Sequence, residues 1–251
     1  MGDAAAEHGA VIVGDVRIAY SVVRSARRRK TVAISLVRRG EVRVAAPVRT
    51  SLEQIEVIVM RRAAWIIRRG SVADPDPDRP GRSSRRFVTG ESLTYLGRQV
   101  PLVVEESADP GVALRLHRSR FAATVSRAVP VGERAALFGV ALERWYRRRA
   151  AERFAARIER FAPIFGVTPV RVLVRSQRRA WGSCSAAGVL HLNWRLIMAP
   201  PPLLDYVVVH ELAHLRVRGH NATFWALVAG VVPDHRERRA QLRVFGPQLE
   251  L

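Results

Sequence analysis

The chain has 251 residues, of which 48% are apolar and 25% charged, and its formal net charge at pH 7 is +20. This apolar content excludes an intrinsically disordered chain, and no apolar run approaches the roughly 20 residues that a membrane-spanning helix needs. Lys30 is the only lysine, so almost all of the positive charge is carried by arginine. This bias is consistent with contact to nucleic acid or a nucleotide, and equally with an arginine-rich genome.

The cysteine content and the first residues of the sequence indicate in which cellular compartment the protein is expected. Cys184 is the only cysteine, so the chain forms no internal disulfide, as is usual in a reducing cytoplasm. The opening residues, MGDAAAEHGAV, are acidic and lack the basic and apolar regions of a secretory signal. We therefore predict a cytoplasmic protein without membrane partners, and the sequence leaves its oligomeric state open.

The first half of the chain shows mostly strand patterns. Alternating apolar residues between positions 16 and 48 indicate three strands, and apolar residues spaced by three and four over 52–69 indicate one amphipathic helix. Further strand patterns, SLTYLG, QVPLVVEE, VALRLH and FAATV, are separated by short turns. We predict a mostly antiparallel β region over residues 1–130, with the proline-rich and charged residues 70–86 as a linker.

The second half mixes helices with short strands. Pro130 precedes a long helical pattern that ends at Pro163. Three short strands are predicted next, over residues 170–174, 180–184 and 189–194. Three prolines at 200–202 then open an apolar helix. These patterns predict an α+β fold with a second domain over residues 131–251.

The apolar helix carries the pattern HELAH. His210 and His214 stand four residues apart, so on a helix both imidazoles leave the same face, one turn from each other. Glu211 follows the first histidine, which places its carboxylate beside a bound ion rather than on it. That position suits a general base that takes a proton from water.

A third histidine follows a glycine shortly after this helix. We expect Gly219 to end the helix in the left-handed conformation, so that His220 folds back towards the other two histidines. Three neutral imidazoles would bind one zinc ion per chain and leave one position for water. The alternative is a chance match to the motif. Its apolar surroundings argue against that alternative, because buried imidazoles and carboxylates need partners.

The segment from Trp181 to Trp225 contains WGSC, LHLNWRLI, HELAH, GH and FW. In these motifs the chain resembles the YgjP-like zinc metallopeptidase family, which is related to the SprT-type proteases. The resemblance implies a zincin-like C-terminal domain, in which a buried HExxH helix lies beside a small sheet, and zinc-dependent peptidase activity. The chain departs from the family pattern at Ala180, where a basic residue is usual, and at His235, where a tyrosine is usual.

Four further residues are candidates for binding the substrate or for donating a hydrogen bond to an oxyanion. They are Arg178, Arg179, Asn193 and His235. Asn193 is alternatively a residue that fixes a loop, and His235 is alternatively an additional ligand or a surface residue. Cys184 is a candidate ligand or nucleophile, or a small apolar residue in a buried strand.

Three functions are compatible with these residues. The first is a zinc peptidase that cleaves a protein or peptide with activated water and Glu211 as general base. The second is metal-dependent hydrolysis of a nucleotide phosphoanhydride, in which Arg178, Arg179 and Arg216 stabilise phosphate charge. The third is a nucleic-acid-associated protein with a structural metal. Glu211 argues against the third, because a structural site has no use for a base.

Overall fold

The structure, a computed structural model, describes residues 7–13, 16–26, 28–37, 41–70, 86–109, 111–177, 180–246 and 249. These residues form a mixed α+β protein. The predicted linker over residues 70–86 lies outside the described residues except at its two ends.

The described elements occur as runs of strands separated by helices. The strands are β1 (Glu7–Val13), β2 (Val16–Ser25), β3 (Ala33–Leu36), β4 (Val42–Pro47), β5 (Ser92–Tyr95), β6 (Arg98–Ser107), β7 (Val112–His117), β8 (Arg120–Ser126), β9 (Arg171–Arg175), β10 (Gly182–Cys184) and β11 (Val189–Asn193). The helices are α1 (Leu52–Gly70), α2 (Val131–Phe165), a 3₁₀ helix (Trp194–Met198), α3 (Pro201–Ala213), α4 (Ala222–Val231) and α5 (His235–Phe245).

The larger sheet has eight strands in the order β3-β4-β2-β1-β7-β8-β6-β5. Three of its pairs, β1 with β7, β2 with β4 and β6 with β8, are parallel. The expectation of a mostly antiparallel region was therefore wrong, and the sheet is mixed. Alternation of apolar residues indicates where strands lie but not which strands pair. Here β4 lies between β3 and β2, and β8 lies between β7 and β6, so strands that are not consecutive in the chain become neighbours.

The first compact unit comprises Met1–Glu91 and Pro101–Trp145. Helix α1 packs on β1, β3 and β4 through one apolar face, in which Ile55, Val59 and Ala63 are fully buried. Their spacing of four matches the helical repeat. The amphipathic helix predicted over residues 52–69 is thus confirmed as α1.

The second compact unit comprises Ser92–Val100 and Tyr146–Leu251. Its small sheet has the order β10-β11-β9, in which β10 runs antiparallel and β9 parallel to β11. The side chains of Phe154, Leu192, Trp194 and Val208 are fully buried in this unit. The predicted division of the chain after residue 130 stays a prediction.

Helix α3 lies in the core of the second unit and starts with Pro201 and Pro202, which lack the amide hydrogens that a first turn leaves unbonded. Arg157 of α2 donates to Asp205 of α3 over 2.6 Å, and both side chains are largely shielded from solvent. This ion pair fixes α3 against the long helix. Among the described helices, α3 included, none combines the length and apolarity needed to cross a membrane.

Candidate metal centre

Helix α3 presents His210 in its last turn, and His214 is its C-terminal cap. The helix ends at Ala213, so the expected end at Gly219 was wrong. The amides of Arg216 and Val217 both donate to the Ala213 carbonyl, at 3.0 and 2.9 Å. These bonds satisfy the last carbonyl of the helix, and Gly219 is not among the described glycines with a positive φ.

The tight turn after α3 brings His220 back to the helix. Each of His210, His214 and His220 offers one ring nitrogen, and the three nitrogens lie within 4.8 Å of one another. The Nε2 atoms of His210 and His220 are 3.0 Å apart. Nδ1 of His214 lies 3.2 Å from the Val217 carbonyl, which can only accept, so Nδ1 carries the proton and Nε2 keeps its lone pair.

The electrostatics of the cluster keep the half-buried imidazoles of His210 and His214 neutral. Burial, followed by repulsion from His214 and His220, lowers the pKa of His210 to about 3. Burial also lowers the pKa of His214, although its hydrogen bond to Val217 opposes that shift. Neutral imidazole is the form that binds a metal ion.

Glu211 lies beside the three histidines and is only 4% exposed. Its Oε2 atom has no hydrogen-bond partner among the described residues, and burial raises the pKa of the carboxyl to about 8. A cation nearby would favour the ionised form and lower that pKa. Three convergent imidazole nitrogens, with a buried carboxyl oxygen that lacks a partner among the described residues, fit a divalent metal that prefers nitrogen ligands, such as zinc.

Aromatic rings support the histidines from the side of α4. Phe224 is fully buried and contacts all three imidazoles, stacking on His214 with ring centroids 4.4 Å apart. Trp225 stacks on His220 with centroids 5.6 Å apart. Asn221 caps α4 by accepting a hydrogen bond from the Phe224 amide, which fixes both aromatic residues relative to His220.

The predicted substrate-binding residues differ in their placement. Asn193 is buried, and its Nδ2 donates to the carbonyls of Gln177 and Ala180 over 2.8 and 3.2 Å. Its Oδ1 accepts from the Arg195 amide. The side chain thus holds the backbone at residues 177 and 180, the kind of contact that the loop-fixing alternative predicts. The other two candidates in this region, Arg178 and Arg179, lie outside the described residues.

His235 is 8% exposed, so the interpretation as a surface residue was wrong. Its ring stacks on Trp225 with centroids 5.4 Å apart. It is not one of the three histidines whose nitrogens converge. His235 is the first residue of α5, and the packing of that helix covers the ring. The charged residues around position 235 in the sequence do not reveal this packing.

A cleft of about 440 Å³ opens in front of the three histidines. It is lined by Gly182, Ser183, Cys184, Ser185, Ala186, His210, Glu211, His214, Arg218, Gly219 and His220. Burial raises the pKa of the Cys184 thiol, as does Glu211, and a protonated thiol is a poor nucleophile and ligand. No functional role was predicted for Gly182 or Arg218, although the WGSC motif contains the glycine.

The first unit has a cleft of about 510 Å³, slightly larger than the one at the histidines. Its lining residues are Lys30, Val32, Thr50, Glu53, Gln54, Val57, Ile58 and Arg61. This set contains neither histidine nor cysteine and one carboxylate, so it does not offer the ligands of a zinc site. The chemistry of the lining, rather than the size of the cleft, identifies the candidate site.

The three histidines, the buried glutamate and the cleft define a candidate centre of a metal-dependent hydrolase. Comparison with protein families agrees with this class. The chain belongs to the YgjP-like family, because the family model described as "YgjP-like, metallopeptidase domain" matches residues 30–245. The match includes all residues of the candidate centre, and it bears out the resemblance seen in the motifs.

A curated protein of Escherichia coli (strain K12) is similar to part of the chain. It carries the name UTP pyrophosphatase and is 40% identical over 53 residues. The similar stretch covers 21% of this chain and 32% of the relative, so the chain spans about a third of that protein's length.

Proposed function

We propose that this protein is a zinc-dependent hydrolase in which His210, His214 and His220 hold the ion and Glu211 is the general base. The observation that carries the proposal is the Oε2 atom of Glu211, which is buried beside three convergent imidazole nitrogens and has no hydrogen-bond partner among the described residues. A zinc ion in this position would act as a Lewis acid and lower the pKa of water to about 7.

Glu211 handles the proton in this reaction. Its ionised carboxylate accepts a proton from the attacking water at Oε2 and then donates it to the leaving group. The surroundings suit both steps, because burial raises the pKa of Glu211 to about 8 whereas a nearby cation lowers it. His214 is held in the tautomer that leaves Nε2 free, by its hydrogen bond to Val217.

The substrate supported best by the geometry is a peptide. Strand β10 is an edge strand of the small sheet, and its residues Gly182, Ser183 and Cys184 line the cleft. An extended peptide can add to such an edge through its backbone hydrogen bonds, which would lay one peptide bond along the cleft. The family description of a metallopeptidase domain agrees with this substrate.

A nucleotide is the second candidate substrate. The name of the Escherichia coli relative, UTP pyrophosphatase, favours cleavage of a nucleoside triphosphate. The net charge of +20 would attract such an anion. The same carboxylate would then activate water against phosphorus instead of a carbonyl carbon.

The test is to measure zinc in the purified protein by mass spectrometry, for the wild type and for His214→Ala. The same samples are then assayed for hydrolysis of casein and of UTP, with Glu211→Gln as a control. We expect about one zinc per chain in the wild type and in Glu211→Gln, loss of zinc in His214→Ala, and hydrolysis by the wild type alone. A wild type that binds no divalent metal when supplied with it would overturn the proposal.

A further inference from the structure

We propose that Arg218 forms a subsite for an oxyanion of the substrate, next to the bond that is hydrolysed. The inference deepens the proposed hydrolase function and rests on it. Among the described residues that line the cleft, Arg218 is the one arginine, none is a lysine, and Glu211 is the one carboxylate. The cleft therefore carries a permanent positive charge beside the three histidines.

The guanidinium of Arg218 is anchored but not neutralised. It donates one hydrogen bond, from Nη2 to the Ala186 carbonyl over 3.0 Å, in the turn between β10 and β11. No carboxylate pairs with it among the described residues. A guanidinium has five N–H donors, so the remaining donors are available to a ligand. The anchor to Ala186 reduces the entropy that the side chain loses when a ligand binds.

Arg216, two residues earlier, provides a contrast. Its Nη1 donates to the Phe165 carbonyl at the end of α2 over 3.3 Å, and Arg216 is not among the cleft residues. Arg216 was predicted to stabilise phosphate charge if the substrate is a nucleotide. The turn after α3 instead directs Arg218 to the cleft, so Arg216 is a matched control for charge and location.

The ligand chemistry follows from the shape of the guanidinium. Its planar fork binds carboxylate or phosphate oxygens through two parallel hydrogen bonds. The shared ligand is therefore an oxyanion, which is a phosphate in a nucleotide and an acidic side chain or terminal carboxylate in a peptide. In either case Arg218 selects substrates that carry a negative charge close to the scissile bond.

The experiment compares Arg218→Gln with Arg216→Gln, after equal zinc content and melting temperature have been established for both. One arm measures binding of inorganic tripolyphosphate by calorimetry and the KM for UTP. The other measures the KM for a pair of peptides that differ by Asp against Asn near the cleaved bond. We expect Arg218→Gln to weaken the binding of at least one anionic ligand about tenfold to a hundredfold, as loss of a charged hydrogen bond does. We expect no change in Arg216→Gln.

The two arms separate the sources of the oxyanion. An effect on tripolyphosphate and UTP identifies phosphate, and an effect confined to the Asp peptide identifies carboxylate. If Arg218→Gln matches the wild type in both arms, or if Arg216→Gln is equally impaired, the subsite does not exist. Tripolyphosphate binding needs no turnover, so a failure of the proposed hydrolase activity is distinguishable from a failure of the subsite.

Discussion

Gly182 of β10 lies directly against the carboxylate of Glu211. A Cβ atom at position 182 would be 2.6 Å from Oε1 and 2.9 Å from Cδ of the glutamate. Real Cβ contacts are longer than this, so any larger residue would displace the carboxylate. The glycine of the WGSC motif therefore leaves room for the general base of the proposed reaction.

Gly182→Ala tests this relationship. We expect hydrolysis to fall by about a hundredfold, since small displacements of a catalytic group have effects of this size, while zinc content stays at the wild-type level. Overpacking should also cost about 1–3 kcal/mol in the free energy of unfolding. The measurements are kcat, bound zinc and urea denaturation.

Gly230→Ala is the matched control for this substitution. Position 230 lies in α4, and a Cβ there would meet no atom within 4 Å. Alanine favours helix over glycine by about 1 kcal/mol, so the control should be as active as the wild type and slightly more stable. Full activity in Gly182→Ala would contradict the role given to this glycine.

Ionisation of Glu211 should make the metal-free protein less stable as pH rises. In the folded protein, burial raises the pKa of the Glu211 carboxyl from 4.5 to about 8. Between these two pH values the unfolded chain therefore binds fewer protons at Glu211 than the folded protein does. The contribution of Glu211 is thus complete below pH 4.5 and is lost as pH rises through about 8. We expect the free energy of unfolding to fall by about 2 kcal/mol from about pH 6.5 to about pH 8.

Glu211→Gln removes this dependence and is the control in the same denaturation series. His210 changes stability in the opposite direction, because its pKa falls to about 3 from 6.5, so its contribution is lost as pH falls below 6.5. Measurement above pH 6.5 separates the two groups. Parallel pH profiles of wild type and Glu211→Gln would rule out a buried, unpaired carboxyl.

Trp225 should support zinc binding through His220. This histidine is exposed, and Trp225 covers one face of its ring. We expect Trp225→Ala to lower zinc affinity about tenfold to a hundredfold, as loss of a group that orients a ligand does, and Trp225→Phe to lower it less. Competition with a chelator measures the affinity. Thr223→Ala, on the exposed side of α4, should bind zinc like the wild type.

The ion pair between Arg157 and Asp205 should stabilise the second unit. The side chains are 14% and 24% exposed and their charged atoms are 2.6 Å apart, which places the pair between exposed and buried ion pairs. We expect Asp205→Asn to cost about 1–2 kcal/mol in the free energy of unfolding, as loss of a charged hydrogen bond does. A double-mutant cycle with Arg157→Gln measures the coupling, and additive effects would exclude it.

Local periodicity accounts for what the sequence predicted well. His210 and His214 share a face because four residues make about one helical turn, and the apolar spacing of α1 places Ile55, Val59 and Ala63 in the core for the same reason. Such relations depend only on neighbours along the chain. They are therefore readable before any tertiary contact is known, as are the family motifs around them.

The remaining features depend on packing between distant segments. The parallel pairing of β2 with β4, the burial of His235 and the contact of Gly182 with Glu211 all join residues that no short-range pattern relates. The turn after α3 places Arg218 in the lining of the cleft, whereas Arg216 donates to the Phe165 carbonyl. Local motifs therefore predict which side chains form the candidate site, whereas its surroundings depend on packing, because burial and partner choice arise only when distant segments come together.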